Sequence, residues 1–354
     1  MSKLPRLVID PAKLIHNYRT VRRNCARAGV NLTMAVKGLA GDETILKYLI
    51  DAGLDDLGDS RLENLKRLRH YSGLKRMKLR LPSLSRVDET VRHTEISLNS
   101  EWSTLEALDF YAGRQSRRHG VLLMVDLGDL REGVAPPELL KLAGNCRGLN
   151  NLDVVGVGTN FSCFAGLKPT PELLAKLARL AQQLRDEFRL PIRYVSGGNS
   201  SSLPLLYEKT LPAGVNHLRI GEGILLGRET LRGRRLPDLF PDAFLVEAEV
   251  IQVQWKAAQP CGETGWDAFG RVPVFPKLEP GIRLLLNLGE QDTPLTGLTP
   301  LEPGLTVLGG SSDYMVVAAA GPVKVGRTVR FLPNYWSMLA LMSSPYVTKE
   351  YLKF

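Results

Sequence analysis

Eight short runs rich in Leu or β-branched residues alternate with amphipathic stretches over the first 230 residues, and this alternation constrains the fold most. The runs are 32–36, 54–57, 77–81, 95–98, 121–127, 154–160, 192–196 and 217–220. Helical periodicity fills the gaps at 11–28, 42–52, 61–71, 101–118, 136–146 and 171–188. Eight parallel strands with crossover helices in that length match a (β/α)8 barrel, with a doubly wound open sheet as the alternative. From Asp242 the texture becomes short strand-like runs separated by Gly and Pro, such as AFLVEAEVIQVQW and GLTVLGG. The expectation is therefore an α/β chain of two domains: a barrel at 1–235 and a C-terminal all-β domain at 236–354, with Leu231–Asp242 as linker. A short strand at Arg6–Asp10 could pair with either domain.

The formal charge of +9 raises the question of nucleic acid. Residues 231–354 carry 12 Lys/Arg and 12 Asp/Glu, so the excess lies wholly before them. There it is scattered over helical faces with acids interleaved, as on solvated surfaces, and no nucleic-acid partner is expected. No apolar stretch reaches the length of a membrane span, and MSKLPRLVIDPAKL is too broken for a signal segment. Cys25, Cys146, Cys163 and Cys261 form no CxxC or Cys/His cluster, which argues against a metal site or disulfide framework and for the cytoplasm.

Function in a barrel is expected at the carboxyl ends of its strands. The first strand ends in AVKGLAGD, placing Lys37 where a desolvated amine suits Schiff-base chemistry; a lysine snorkelling from a strand end is the plain alternative. The seventh run leads into SGGNSSSL, where Asn199, Ser200, Ser201 and Ser202 after a glycine pair suit a phosphate, a plain polar loop being the alternative, and Ser196 just before them is a further cofactor candidate. The eighth reads LRIGEG, in which Arg219 stands at a strand end and Ile220, Gly221 and Glu222 offer backbone amides to the same anion. An amine facing a phosphate cradle suggests pyridoxal 5'-phosphate.

Seven motifs in order, VKGLAGD, VDLGDLREG, GVGTNFSCF, SGGNSSSL, LRIGEGILLGRE, LGGSSDY and NYWSMLALMSSPYV, make the chain resemble the fold-type III pyridoxal-phosphate enzymes of the alanine racemase superfamily. Within it the chain is most similar to the ornithine racemase-like branch. The resemblance implies an amino-acid racemase, specific for ornithine or another basic amino acid, working as a head-to-tail homodimer in which the β domain completes the partner's active site. It implies that Lys37 holds the cofactor and moves the Cα proton on one face. Arg219 would hydrogen-bond the pyridine nitrogen and, keeping its own proton, leave that nitrogen unprotonated. Ser200, the Gly221 amide and Tyr335 would meet the phosphate, Asn160 would stand against the ring, and Arg131 would support the substrate carboxylate. Arg131 has a competing reading as an ion pair with Asp129 or Glu132, and Tyr335 as core packing.

Two departures from better-known alanine racemases stand out. Gly41 replaces a phosphate-touching tyrosine, and Cys261 occupies the place of the opposite-face tyrosine. The second base is left between Tyr314 and Cys261, with Cys163 read as a packed barrel residue. Ser312, Asp313 and Asp292 are expected at the substrate, the two acids pairing with a distal ammonium. Alternatives are an alanine or broad-specificity racemase, a D-threonine aldolase or D-serine dehydratase type of enzyme, and a non-catalytic pyridoxal-phosphate-binding protein.

Overall fold

The computed structural model describes residues 3–273 and 279–353, which form two compact units, 15–240 and 1–14 with 241–354. In chain order the strands open with β1 (Arg6–Ile9). The barrel strands follow: β2 (Asn31–Ala35), β3 (Asp56–Asp59), β4 (Lys75–Lys78), β5 (Ile96–Asn99), β6 (His119–Met124), β7 (Leu152–Gly158), β8 (Tyr194–Ser196) and β9 (His217–Ile220). They close on themselves in that order with every pairing parallel. All eight overlap the runs read from the sequence, by two residues at the least, and the closed barrel replaces the open sheet.

The intervening helices form where apolar periodicity meets a local start signal. Thr170 accepts the Leu173 amide at 3.3 Å, Pro171 follows it, and Leu174, Leu177, Leu180, Ala181 and Leu184 line the buried stripe of Pro171–Phe188. These stripes pack on the outer faces of the strands in one core that includes Val121, Leu123, Val154, Val157 and Val195.

The barrel interior is divided. Met77, Ile96, Leu98, Leu122 and Met124 pack as one apolar cluster over β4–β6. On β7 a Cβ at Gly156 would stand 2.8 Å from Tyr194 Cβ, and one at Gly158 would stand 2.6 Å from Leu122 and 3.2 Å from the Arg219 guanidinium. Glycine at both positions leaves the room that Tyr194 and Arg219 occupy. The remaining interior, from β8 through β9 to β3, carries polar side chains.

The second unit is built on β10 (Phe244–Lys256), β11 (Gly281–Leu286), β12 (Leu298–Pro300), β13 (Leu305–Gly310), β14 (Met315–Ala319), β15 (Thr328–Pro333) and β16 (Thr348–Tyr351). Its main sheet runs β12-β15-β10-β11-β14-β13, antiparallel throughout, and β1 joins it between β10 and β16. The early strand thus belongs with this unit, where Arg6 pairs with Glu247 and Glu350; a boundary at 235 would have put it with the barrel. The sheet unit, as expected mostly antiparallel β, also carries the helix Tyr335–Ser343. Asn334 caps it by accepting the Ser337 amide at 2.9 Å, and Met338, Leu341 and Met342 are buried.

Candidate active site

Lys37, Asn160, Ser196, Ser200, Arg219, Ile220 and Gly221 are all delivered to the carboxyl end of the barrel, from the ends of β2, β7, β8 and β9. β2 stops at Ala35, and Lys37 opens a 3₁₀ turn through Leu39. The turn buries Gly38 and Leu39 and leaves Lys37 exposed. The desolvated lysine expected from the apolar strand is therefore not found; the chain turns before the side chain can be buried. Gly41 follows at φ 73°, and a Cβ there would stand 2.5 Å from Oδ1 of Asn64. Asn64 donates to Asp59 at 3.1 Å and so holds the space that a side chain at position 41 would need.

Arg219 is 3% exposed. Its NH2 donates to Thr159 O at 2.7 Å and Asn160 Oδ1 at 2.8 Å, and its NH1 donates to Ser196 Oγ. Burial lowers its pKa to about 10, which Glu132 opposes, so the guanidinium stays protonated near neutral pH. The other end of the Asn160 amide donates to Glu132, and Glu132 is ion-paired with Arg131. Of Asp129 and Glu132, the acid paired with Arg131 is Glu132. Asp129 instead accepts the backbone amides of Cys163 at 3.1 Å and Phe164 at 3.2 Å. The link from Glu132 to Asn160, 28 residues away, had no signal in the sequence.

The β8 and β9 loops meet around Ser200, where the sequence leads one to expect an anion. Ser200 Oγ accepts the amides of Gly221 at 3.3 Å and Gly223 at 3.0 Å. Asn199 takes a different part from the one expected: its Oδ1 accepts the Ser201 amide at 2.9 Å and its Nδ2 donates to Phe161 O at 2.8 Å and Cys163 Sγ at 3.2 Å. Its side chain is thereby committed to shaping the loop. Ser201 Oγ and Thr159 Oγ1 are buried without a hydrogen-bond partner. Cys163 is exposed, not packed in the barrel, because its loop stands above the strands and is pinned through its backbone.

The carboxyl group of Glu222 is a further member that the sequence did not single out. Burial pushes its pKa up to about 7, with Lys37 opposing and Glu229 adding to the rise. The folded chain therefore holds a proton here that the unfolded chain has already released. That contribution is full below the ordinary carboxyl pKa near 4.5 and is lost as pH rises to about 7. Its size is on the order of 3 kcal/mol. Glu222→Gln should flatten the fall in unfolding free energy between pH 4.5 and 7, measured by urea titration. An unchanged slope would place the proton elsewhere.

The remaining expected residues lie in the sheet unit. Asp292, Ser312, Asp313 and Tyr314 are brought together there, because the amides of Glu290 and Gln291 donate to Ser311 O and Ser312 O. Asp292 accepts from Ser344 Oγ at 3.1 Å, Asp313 accepts from Ser312 Oγ at 2.8 Å, and Tyr314 is 45% exposed. Tyr335 opens the helix Tyr335–Ser343, and Cys261 is an exposed free thiol. Among the described residues no group of His, Cys, Asp and Glu could hold a metal, and no helix is long and apolar enough to cross a membrane.

Residues 9–229 match the family model described as alanine racemase, N-terminal domain. Over its whole length the chain is similar to the ornithine racemase of Acetoanaerobium sticklandii, at 37% identity covering 98% of this chain and 99% of that protein. It is likewise similar to the lysine racemase of Thermotoga maritima, at 38% identity covering 98% of each. Among solved structures, an alanine racemase from Bartonella henselae with covalently bound pyridoxal phosphate superposes with a TM-score of 0.75. The identity is 19%, and the match covers 99% of this chain and 100% of that one.

Proposed function

The chain belongs to the alanine racemase family, and on that premise we propose that it is a pyridoxal-phosphate-dependent racemase of a basic amino acid, ornithine or lysine. The observation that carries the substrate class is full-length similarity to two racemases of basic amino acids, joined to an exposed Lys37 and a buried Arg219 at one barrel mouth.

The residues present fit the cofactor. A phosphate suits the Ser200 hydroxyl and the Gly221 and Gly223 amides gathered around it, and Ser201 Oγ and Thr159 Oγ1 are buried polar atoms still lacking a partner. Lys37 supplies the amine that would hold the aldehyde, and Arg219 the donor for the ring nitrogen. When bound, pyridoxal phosphate acidifies the substrate Cα–H by withdrawing electrons. The Lys37 amine then takes or returns that proton on one face. Arg131 orients the substrate carboxylate, and Glu132 limits its surplus charge. On the opposite face we assign the proton to Tyr314, with Cys261 as the second candidate, supplied by the sheet unit of a second copy.

A head-to-tail homodimer is part of this proposal. The far half of β10, from Ile251 onward, has partly or fully exposed side chains on both faces, and Trp255 and Trp266 are 70% and 80% exposed. Aromatic surface of that extent suits burial against another chain. A cytoplasmic location fits the four free cysteines.

The test is a chirality-resolved assay of free amino acids in heavy water. Ornithine and lysine should gain one solvent deuterium at Cα with inversion, at least about tenfold faster than alanine. Asp313→Asn and Asp292→Asn should narrow that preference if these acids meet the distal ammonium. Exchange without inversion in Tyr314→Phe, but not in Cys261→Ser, would assign the opposite-face proton carrier. Release of an aldehyde or of ammonia in place of inversion would overturn the racemase reading.

A further inference from the structure

The polar half of the barrel interior holds a hydrogen-bond chain whose direction is dictated by its ends. At the upper end Arg219 can only donate. The Ser196 oxygen that receives its NH1 keeps its own proton free to pass onward, and the partner at 2.8 Å is Nδ1 of His217, bare once a neutral ring carries its proton on Nε2. At the lower end Asp56 is held by Lys75 at 3.0 Å and accepts from Thr33 Oγ1 at 2.6 Å. With its proton committed to Asp56, Thr33 can only accept from Nε2 of His217, 2.9 Å away. Lys75 also donates to Tyr194, whose ring stands 5.0 Å from that of His217.

We propose that Ser196, His217 and Thr33 form a one-way chain that positions Arg219, with a neutral imidazole carrying its proton on Nε2. The proposal rests on Arg219 being the partner of the cofactor ring and deepens that assignment. Ser196, His217 and Thr33 are all 0% exposed, so no water competes for these bonds. Reversing one bond would set two donors or two acceptors face to face. Rotation of the guanidinium away from its place is opposed by every link down to the Asp56–Lys75 pair. The groups facing His217 are Arg219, Lys75 and Tyr194, with Asp56 acting through Thr33, and burial with the two cations holds the imidazole pKa well below the ordinary value.

The tautomer is tested without the cofactor, by ¹⁵N NMR of protein labelled at its five histidines. The His217 signal is assigned by its loss in His217→Gln or, should that variant not fold, by its shift in Thr33→Ser. A protonated Nε2 and bare Nδ1 from pH 6 to 9 is expected; a protonated Nδ1 or an imidazolium overturns the proposal. In the loaded enzyme, Thr33→Val removes the hydroxyl at nearly constant shape. It should lower kcat about tenfold with KM within about twofold and shift the visible band of the bound cofactor, and Thr33→Ser should restore both. Equal behaviour of Val and Ser, or a loss confined to stability, overturns it. A protein that shows the expected tautomer but takes up no pyridoxal phosphate would sink the cofactor reading and leave the chain standing.

Discussion

Lys37→Ala should lose racemisation by at least about 10⁴-fold, because one substitution removes both the covalent anchor and the acid–base group proposed for one face. The fold should be untouched. Lys37 is exposed, and it is Gly38 and Leu39 that bury the turn it opens, so the thermal midpoint should move by no more than about 2 °C. Borohydride reduction of wild-type protein with pyridoxal phosphate should add the cofactor mass to the peptide bearing Lys37, and the variant should take up no such label. A rate within tenfold of wild type, or a label elsewhere, would remove Lys37 from the chemistry.

Arg219→Gln should cost about 100-fold in kcat, or about 2.7 kcal/mol of transition-state stabilisation. The guanidinium does not give up its proton, so a ring nitrogen bonded to it stays unprotonated. A neutral amide removes that veto, the cofactor becomes a stronger electron sink, and side transamination should rise as racemisation falls. Stability should fall as well, because Thr159 O, Asn160 Oδ1 and Ser196 Oγ are left without their buried donor. Both effects are read together, by chiral assay and by the slow conversion of cofactor absorbance during turnover. A variant that racemises normally would show that the ring nitrogen has another partner.

The barrel strands were legible because they are buried on both faces, so that runs such as GVLLMV and VVGVG stand out without any alternation to detect. The helix Tyr335–Ser343 was not, since WSMLALMS is apolar all round and a short run of that kind reads equally well as a strand. Lys37 and Arg219 announced themselves as charges at the ends of apolar runs. Thr33, Asp56, Lys75 and His217 did not, because each lies in a different strand and only closure of the barrel sets them side by side. A two-residue rhythm did carry some of that information: His217 with Arg219, Tyr194 with Ser196, and Gly156 with Gly158 share a face on their strands. The Arg131–Glu132 pair was visible as neighbours, whereas its link to Asn160 depends on how two loops fold over the mouth.

The bare inner face of β7 offers a purely mechanical handle on the guanidinium. A methyl group at Gly158 would press on Leu122, on Arg219 and on the Cβ of Ser196, whose hydroxyl receives the guanidinium, while removing no donor or acceptor around the cation. Glycine to alanine there works as a wedge, displacing a charge by tenths of an ångström without altering its chemistry. The same strand is for that reason a poor place to broaden the enzyme's diet.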